Sequence, residues 1–221
     1  MKTQEYIETL PKGACRSRGE GLYSVMARTP LGDVSAEQLD TINAVVKEFG
    51  LPGVRVTARQ RIQLIGIPED KLRTVIERLG LVGEGRKYFV QACAGNSSCR
   101  FGVRDSMEMG ARLEEFLNGF DLPAKLKSGV SGCPMSCGES YVRDIGLAGT
   151  PKGWTVLFGG NAGRRVRKGD VLAKGVSDEE ALKIVGNALD FYAKNAKKKE
   201  RTARFVERVG IDAVLEAVNG A

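Results

Sequence analysis

Four of the five cysteines in this 221-residue chain fall into two close pairs. Cys93 and Cys99 stand in CAGNSSC, and Cys133 and Cys137 stand in CPMSC. The chain contains no histidine, so thiolates are its foremost soft metal ligands. Four thiolates are the ligand set that an iron–sulfur cubane requires. The spacing therefore favours one [4Fe–4S] cluster, and any fold of this chain must bring the two cysteine segments together.

Other interpretations of the cysteines stay open from spacing alone. Structural zinc sites usually leave two to four residues between paired ligands, and the five-residue gap between Cys93 and Cys99 argues against zinc. A thioredoxin-type C-x-x-C is absent. Thiols buried without a metal are the third interpretation. Cys15 lies far from both pairs, so we expect it to be an unrelated thiol.

Composition limits the class of protein. An apolar fraction of 42% indicates a globular chain with a real core. There is no run of 18 apolar residues, and MKTQEYIETLPKG lacks the features of a secretory leader, so we expect a cytoplasmic protein without a membrane span. In such a reducing compartment, paired cysteines are more often metal ligands or redox thiols than disulfides. The net charge of +7 fits an anionic cofactor, an anionic substrate or nucleic acid alike.

The first eighty residues alternate strand and helix patterns. Ser35 and Gln38 form a capping-box pair at the start of one helix, and Gly80 is a helix stop. The period-two alternation after the first helix predicts one long strand. The predicted elements are a strand at 22–28, a helix at 36–49, the long strand at 54–67 and a helix at 72–79. This order predicts an α+β, ferredoxin-like subdomain over residues 1–82.

A second α+β subdomain is predicted over residues 83–221. The glycine-rich LVGEGRK, residues 81–87, is interpreted as a linker between the two. Ser177 and Glu180 form another capping-box pair that opens a helix. The other predicted elements are a helix at about 98–120, strands at 124–130 and within 144–158, and a last helix at about 202–218.

The combined motifs resemble the sirohaem-containing sulfite and nitrite reductases. Besides the C-x5-C and C-x3-C spacing, VTARQRIQLIGI (56–67) is similar to that family's TTRQ strand. LPAKLKSGVSGCPMSC (122–137) is similar to its K-x-K segment leading into the second cysteine pair, and GGNAGRRVRKGD (159–170) resembles its downstream cofactor-domain turn. The similarity covers most of residues 20–215 and is far more specific than any one motif.

The resemblance implies two coupled cofactors and a reaction. A [4Fe–4S] cluster would be bound by the four paired cysteines and joined to sirohaem through one shared thiolate, which maps onto Cys137. The second subdomain would then bind sirohaem and the cluster. The implied function is the six-electron reduction of sulfite to sulfide. The alternatives are reduction of nitrite to ammonia and a non-catalytic sirohaem and iron–sulfur electron-transfer protein.

The resemblance also assigns roles to cationic residues. Periodicity alone would place Arg55, Arg59 and Arg61 on one face of the long strand, which is equally typical of a solvated sheet face. The family pattern implies that Arg59 binds the oxyanion, and that Lys125 and Lys127, two apart on a predicted strand, bind it and supply protons. The residues expected to contact the cofactor carboxylates are Arg55, Arg61, Arg100, Arg104, Asn161, Arg164 and Arg165.

Partners are predicted partly from what the chain lacks. It has no C-x2-C-x2-C motif for a further cluster and no G-x-G-x-x-G fingerprint, so electrons are expected from another protein, such as a ferredoxin or flavoprotein. Aromatic residues make up 6% of the chain, and the long strand offers no stacking rings, which argues against RNA binding. Better-known family members carry two modules, so this single module is expected to work as a monomer or a homodimer. Met135 also departs from the asparagine frequent at its position.

Overall fold

The computed structural model describes residues 10, 13–80, 82–83 and 88–220. The chain divides into two compact units, residues 1–85 and 86–221, and each contains one sheet. Most of the predicted linker, 81–87, lies outside the described residues. Within the described ranges, no helix combines the length and the apolar character that a membrane crossing requires.

The first unit is an antiparallel sheet with two helices. Its strands lie in the order β1-β2-β4-β3, and an isolated bridge pairs Ala27 with Val82 beside β2. From β2 onward, the β-α-β-β-α order with a final bridged segment is the predicted ferredoxin-like arrangement, which is confirmed. The elements are β1 (Ala14–Arg16), β2 (Leu22–Ala27), α1 (Ala36–Glu48), β3 (Gly53–Val56), β4 (Ile62–Pro68) and α2 (Leu72–Leu79).

Local chemistry sets the ends of these helices. Ser35 and Gln38 form the predicted capping box at the start of α1, and Gly80, with φ of 71°, ends α2. Both helices pack their apolar side chains onto the sheet. The buried core of this unit includes Tyr23, Val25, Ile42, Val45, Leu64, Ile67, Leu72 and Val75.

The prediction of one long strand over 54–67 was wrong. The segment is a hairpin, in which β3 and β4 pair antiparallel with Val56 opposite Ile62. The chain turns between them, and Gln60 has φ of 54°, a value uncommon for a residue other than glycine. Alternation continues through both strands, so the period alone did not reveal the turn.

The second unit has a five-stranded mixed sheet. Strands β5, β6 and β7 are parallel, and β8 and β9 continue the sheet antiparallel, in the order β5-β6-β7-β8-β9. The elements are β5 (Phe89–Ala92), α3 (Ser106–Leu117), β6 (Lys127–Ser131), β7 (Ile145–Thr150), β8 (Gly153–Phe158), β9 (Asp170–Val176), α4 (Asp178–Asn195), α5 (Thr202–Val209) and α6 (Ile211–Asn219).

A continuous apolar core supports this sheet. Strand β8 is buried along its whole length, as expected for a central strand with both faces covered. Tyr192 of α4 packs edge-on against Phe158 and Phe205. The largest fully buried side chains of this unit are Met109, Leu113, Leu117, Ile145, Leu147, Trp154, Phe158, Tyr192 and Phe205.

Three predicted boundaries in the second unit need correction. Helix α3 begins at Ser106 rather than near residue 98, because the Asp105 carboxylate accepts from the amides of Met107 and Glu108 and caps the helix there. The last helix is divided at Gly210, whose φ of 85° does not fit a helix. Strand β6 begins at Lys127, so Lys125 precedes it, and β9 was not predicted.

Candidate functional site

The two cysteine pairs begin at the same edge of the second sheet. Strands β5 and β6 are parallel neighbours, with Ala92 opposite Val130. Cys93 follows β5 directly, and Cys133 follows the end of β6 at Ser131 by two residues. Because the carboxyl ends of parallel strands meet at one edge, the fold brings these two distant segments together.

The first cysteine loop, residues 93–104, is held mainly by main-chain hydrogen bonds. The amide of Cys99 donates to the Gly95 carbonyl at 3.0 Å, and the Gly102 amide donates to the Cys99 carbonyl at 2.9 Å. The amides of Val103 and Arg104 donate to the Gly132 carbonyl, at 2.9 and 3.1 Å. The first loop is thereby fixed against the start of the second.

The second cysteine loop, residues 132–139, lies directly on β6. A Cβ added at Gly138 would be 2.2 Å from the carbonyl oxygen of Val130, so only glycine permits this approach. The Gly138 amide donates to the Ser131 hydroxyl at 3.0 Å. Between the two cysteines of this loop, Met135 is 74% exposed.

The four sulfur atoms differ in environment. Cys133 is buried, Cys93 is half-buried, and Cys99 and Cys137 are exposed. The Cys93 Sγ accepts from the Gly132 amide at 3.2 Å and lies 3.4 Å from the Ser106 hydroxyl. Across the described residues, no three or more Cys, Asp or Glu side chains form a ready-made metal site. The fold brings the two cysteine loops together, but the thiol side chains are not arranged as a metal site in this structure.

The donor set nevertheless fits an iron–sulfur cluster. Four thiols rise from adjacent loops at one sheet edge, and an amide already donates to one sulfur, which is the second-sphere contact that stabilises a bound thiolate. Cys15 lies on β1 of the other unit and is exposed.

Arg59 lies in the turn of the β3–β4 hairpin and is exposed. Its amide donates to the Thr57 hydroxyl at 3.4 Å, and the Gln60 amide donates to the Thr57 carbonyl at 3.0 Å. The buried Thr29 hydroxyl donates to the Gln60 carbonyl at 2.9 Å, which ties the turn to the unit. Arg59 thus lies in a turn that hydrogen bonds hold in place, and not on the face of a strand.

Contrary to the prediction, Arg55 and Arg61 do not share one solvent-exposed face, because their exposure differs. Arg55 is exposed on β3, opposite Gln63. Arg61 is only 3% exposed, and its guanidinium donates to the Thr29 carbonyl at 2.6 Å. Arg61 thus supports the turn from beneath, and its predicted contact with a cofactor stays a prediction.

Lys125 and Lys127 flank the buried Leu126 at the start of β6. Lys125 is exposed, and Lys127 is half-buried. Lys127 shares its face of the strand with Gly129 and Ser131, since side chains alternate along a strand. The second cysteine loop covers that same face, because the Gly138 carbonyl lies over Gly129.

Arg100 and Arg104 occupy different surroundings within the first cysteine loop. Arg100 is exposed and stacks 4.5 Å from the centre of the Phe101 ring. Arg104 donates from Nε to the Thr150 carbonyl and from Nη2 to the Pro151 carbonyl, both at 3.1 Å. Arg104 therefore ties the loop to the β7–β8 turn, and its predicted contact with a cofactor stays a prediction.

The glycine-rich turn before β9 contains the remaining predicted residues. The Asn161 amide group donates to the Arg165 carbonyl at 2.6 Å, which closes the turn. Arg164 is exposed, and Arg165 pairs with Glu207 at 3.1 Å. Gly160 lies against the main chain of Arg143, where a Cβ would be 2.5 Å from the carbonyl oxygen. The turn is thus fixed, with its arginines outward.

Sequence reasoning missed Asp144, which is 1% exposed. Its carboxylate accepts from the Lys127 amide at 2.8 Å, from the Thr202 hydroxyl at 2.5 Å and from Arg201, with which it forms an ion pair. These bonds anchor the start of β6 to the start of α5. Nothing in its sequence context distinguishes this aspartate from an ordinary loop residue.

Two family models match this chain. Residues 86–221 match the family model described as nitrite and sulphite reductase 4Fe-4S domain, and residues 16–82 match the nitrite/sulfite reductase ferredoxin-like half domain. The chain belongs to the nitrite and sulfite reductase family. The resemblance inferred from the motifs is confirmed, and with it the family's cofactors, a [4Fe–4S] cluster and sirohaem.

Individual relatives differ in how much of their length this chain covers. A Nitratidesulfovibrio vulgaris protein, "Sulfite reductase, assimilatory-type", is 42% identical over 95% of this chain and 98% of its own length. A Bacillus subtilis "Nitrite reductase [NAD(P)H]" is 38% identical over 90% of this chain, which spans only 25% of that protein. The solved Mycobacterium tuberculosis NirA protein superposes with a TM-score of 0.76 at 23% identity, over 92% of this chain and 41% of its own. That likeness shows the shared fold.

Proposed function

We propose that this chain reduces sulfite to sulfide in a six-electron reaction. The observation that carries the proposal is the meeting of two cysteine loops at one edge of the sheet, with Lys127 on the strand face that the second loop covers. The 42% identity to a protein named as a sulfite reductase, over nearly the whole of both chains, supports sulfite as the substrate. When bound, the cluster and sirohaem supply the electron path and the iron at which the oxyanion is reduced.

Each of the four paired cysteines has a proposed ligand role. Cys93, Cys99, Cys133 and Cys137 would hold the cluster as thiolates, and Cys137 would be shared with sirohaem. The hydrogen bond from the Gly132 amide to the Cys93 sulfur would remain as a second-sphere contact. In the absence of histidine, a thiolate is also the natural axial ligand for a haem iron.

Cationic side chains would bind the oxyanion and supply protons. Lys127 begins β6 and Lys125 lies two residues before it, and Asp144 accepts a hydrogen bond from the Lys127 amide. Ammonium groups form strong, charge-assisted hydrogen bonds to an anion and can donate protons as each oxygen leaves as water. Arg59, presented by the hairpin turn of the first unit, is proposed as a further oxyanion ligand.

The cofactor carboxylates would be bound by the exposed cations. We assign this role to Arg55, Arg100, Arg164 and Arg165, and to the amide of Asn161. Arg61 and Arg104 stay predictions for the same role, although their guanidinium groups already donate to main-chain carbonyls. Charge-assisted bonds of this kind favour the carboxylate-rich sirohaem over neutral tetrapyrroles.

Electrons would come from a separate protein, a ferredoxin or a flavoprotein, and the chain would act in the cytoplasm as a monomer or a homodimer. A reducing compartment keeps the five cysteines of this chain available as thiols. Nucleic acid and membranes are not proposed as partners.

The proposal is tested by anaerobic purification from a host that makes sirohaem. Iron, acid-labile sulfide and the absorption spectrum report the cofactors, and turnover of sulfite and nitrite with a reduced dye reports the substrate. We expect an isobacteriochlorin band, a four-iron cluster and a higher kcat/KM for sulfite. A higher value for nitrite would favour the activity named for the Bacillus subtilis relative. Bound cofactors without turnover would identify a carrier, and colourless protein would end the proposal.

The lysine role has a sharper test. Lys125→Ala is expected to lower kcat/KM for sulfite by roughly 10²- to 10⁴-fold, the usual contribution of a positioned proton donor. The measurement pairs steady-state rates with sirohaem content. Lys183→Ala, at an exposed position of α4, is the matched control and should leave both unchanged. Equal rates in the two variants would remove Lys125 from the reaction.

A further inference from the structure

The second cysteine loop holds Cys137 between two strained residues. Ser136 has φ of 61° and Glu139 has φ of 59°, and both are in the left-handed region that glycine normally occupies. Such conformations persist only where surrounding contacts hold them, and they cluster at functional positions. The contacts that hold this loop therefore decide where the Cys137 sulfur lies.

Three serine hydroxyls supply those contacts. Ser136 Oγ lies 3.1 Å from Ser140 Oγ, and Ser140 Oγ lies 3.1 Å from Ser131 Oγ. Ser131 Oγ also accepts from the Gly138 amide at 3.0 Å, and Ser136 Oγ accepts from the Tyr141 amide at 3.4 Å. The three hydroxyls, here named the hydroxyl chain, link the residues on either side of Cys137 to strand β6.

The direction of the hydroxyl chain follows from proton counting. A hydroxyl has one proton, and the Ser140 proton is donated to Ser131. Ser136 must therefore be the donor to Ser140. Ser140 thus accepts from Ser136 and donates to Ser131. Its removal leaves the Ser136 proton without an acceptor and Ser131 without one of its two donors.

Two members of the hydroxyl chain are buried, so the loss of one of their hydrogen bonds is costly. Ser131 and Ser140 are each 0% exposed, so bulk water does not replace a lost partner. Another serine of the same strand provides the contrast. Ser128 is also 0% exposed, yet its hydroxyl makes no hydrogen bond within the described part of the chain.

We propose that Ser131, Ser136 and Ser140 are positioning residues for Cys137, and that they determine whether the protein retains sirohaem. The inference rests on the proposed function, in which the Cys137 thiolate joins the two cofactors. The serines touch neither cofactor nor substrate in this role. They act by fixing the loop before the cofactors bind.

The first test uses the apoprotein and needs no cofactor. In Ser140→Ala, hydrogen exchange at the Gly138 and Tyr141 amides should accelerate by roughly tenfold, because about one buried hydrogen bond is lost at the loop. Ser128→Ala is the control, because it makes the same substitution at an equally buried serine, and it should leave both amides as protected as in the wild type. Equal protection in Ser140→Ala and Ser128→Ala would overturn the proposal.

The second test measures cofactor content in the purified holoprotein. Sirohaem per [4Fe–4S] cluster should fall at least severalfold in Ser140→Ala and remain at the wild-type ratio in Ser128→Ala. An unchanged ratio despite faster exchange would mean that the hydroxyl chain orders the loop without governing the cofactor, which contradicts the proposal. If wild-type protein contains no sirohaem, the proposed function fails, while the exchange test still reports separately on the hydroxyl chain.

A third variant guards against misfolding. Ser136 is half-buried at the outer end of the hydroxyl chain, so Ser136→Ala should fold even if Ser140→Ala does not. Its Tyr141 amide, which donates to Ser136 in the wild type, should exchange faster, and its sirohaem ratio should fall in the same direction. A wild-type result in both measurements would overturn the proposal as well.

Discussion

The two cysteine loops lie side by side but are held by different means. Besides the bonds of the Arg104 side chain, the first is joined to its neighbours by main-chain bonds. The amides of Val103 and Arg104 donate to the Gly132 carbonyl, and the Cys93 amide donates to the Val130 carbonyl. The second is joined to β6 through the hydroxyl of Ser131. Main-chain bonds depend on the course of the chain, whereas hydroxyl bonds depend on the identity of single side chains.

The contrast predicts different sensitivities to substitution. Away from its cysteines and Arg104, the first loop should tolerate most side-chain changes. It should fail where a Cβ cannot fit, as at Gly102, where the Cβ would lie 2.3 Å from the Gly95 carbonyl carbon. The second should fail when a hydroxyl is removed. The position of the loop proposed to carry the shared thiolate therefore depends on single side chains.

Replacement of one proposed ligand in each loop should give the largest effect. Cys137→Ser is expected to abolish sulfite turnover and the magnetic coupling between sirohaem and cluster, since the serine hydroxyl is a poor substitute for a thiolate. Cys99→Ser should also damage the cluster, but any sirohaem iron that remains should keep its thiolate ligand. Mössbauer and electron paramagnetic resonance spectra of the two variants make the comparison. Retained coupling in Cys137→Ser would move the shared ligand elsewhere.

Gly132→Ala should perturb both loops at once. A Cβ there would lie 2.6 Å from the Arg104 carbonyl oxygen and 2.6 Å from the Gly95 Cα, so the first loop must move away from the second. We expect a loss of about 1–3 kcal/mol in the free energy of unfolding, the usual cost of overpacking. Urea denaturation of the apoprotein measures it.

The control for this substitution is Gly119→Ala, because its Cβ would meet nothing closer than the Phe116 carbonyl oxygen at 3.6 Å. That variant should be as stable as the wild type or slightly more so. If Gly132→Ala matched it, the two loops would not be as tightly joined as their hydrogen bonds indicate.

The features of this site that depend on local sequence could be predicted, and those that depend on the tertiary fold could not. The cysteine spacing predicted a thiolate site, and the serine-and-glutamate and serine-and-glutamine pairs predicted two helix starts, because these signals are local in sequence. The meeting of the loops depends on the parallel pairing of β5 and β6, which joins residues about forty positions apart. The hydroxyl chain could not be predicted, since serines in a glycine-rich loop are usually solvated.

The cationic residues show the same limit. Arg59 was predicted on a strand and lies in a turn, because Gln60 adopts a left-handed conformation that its residue type does not announce. Arg61 and Arg104 were predicted as cofactor ligands, and the structure shows that both also donate to carbonyl groups of distant segments. Charge and periodicity identify an arginine as available, and only the tertiary fold decides what it donates to.

The smallest expected effect concerns the carboxyl-terminal helices, whose ion pairs should not influence the cysteine loops. Arg208 donates to both carboxylate oxygens of Glu200, at 2.9 and 2.7 Å, and lowers the pKa of Glu200 from 4.5 to about 2. A depressed pKa stabilises the fold above pH 4.5 and loses that contribution as pH falls toward 2. Glu200→Gln should remove this part of the pH dependence of unfolding, whereas Glu216→Gln, an exposed control on α6, should keep it. Gly138 amide exchange should be unchanged in both variants, and faster exchange in Glu200→Gln would show that the second cysteine loop depends on these helices as well as on its own hydroxyls.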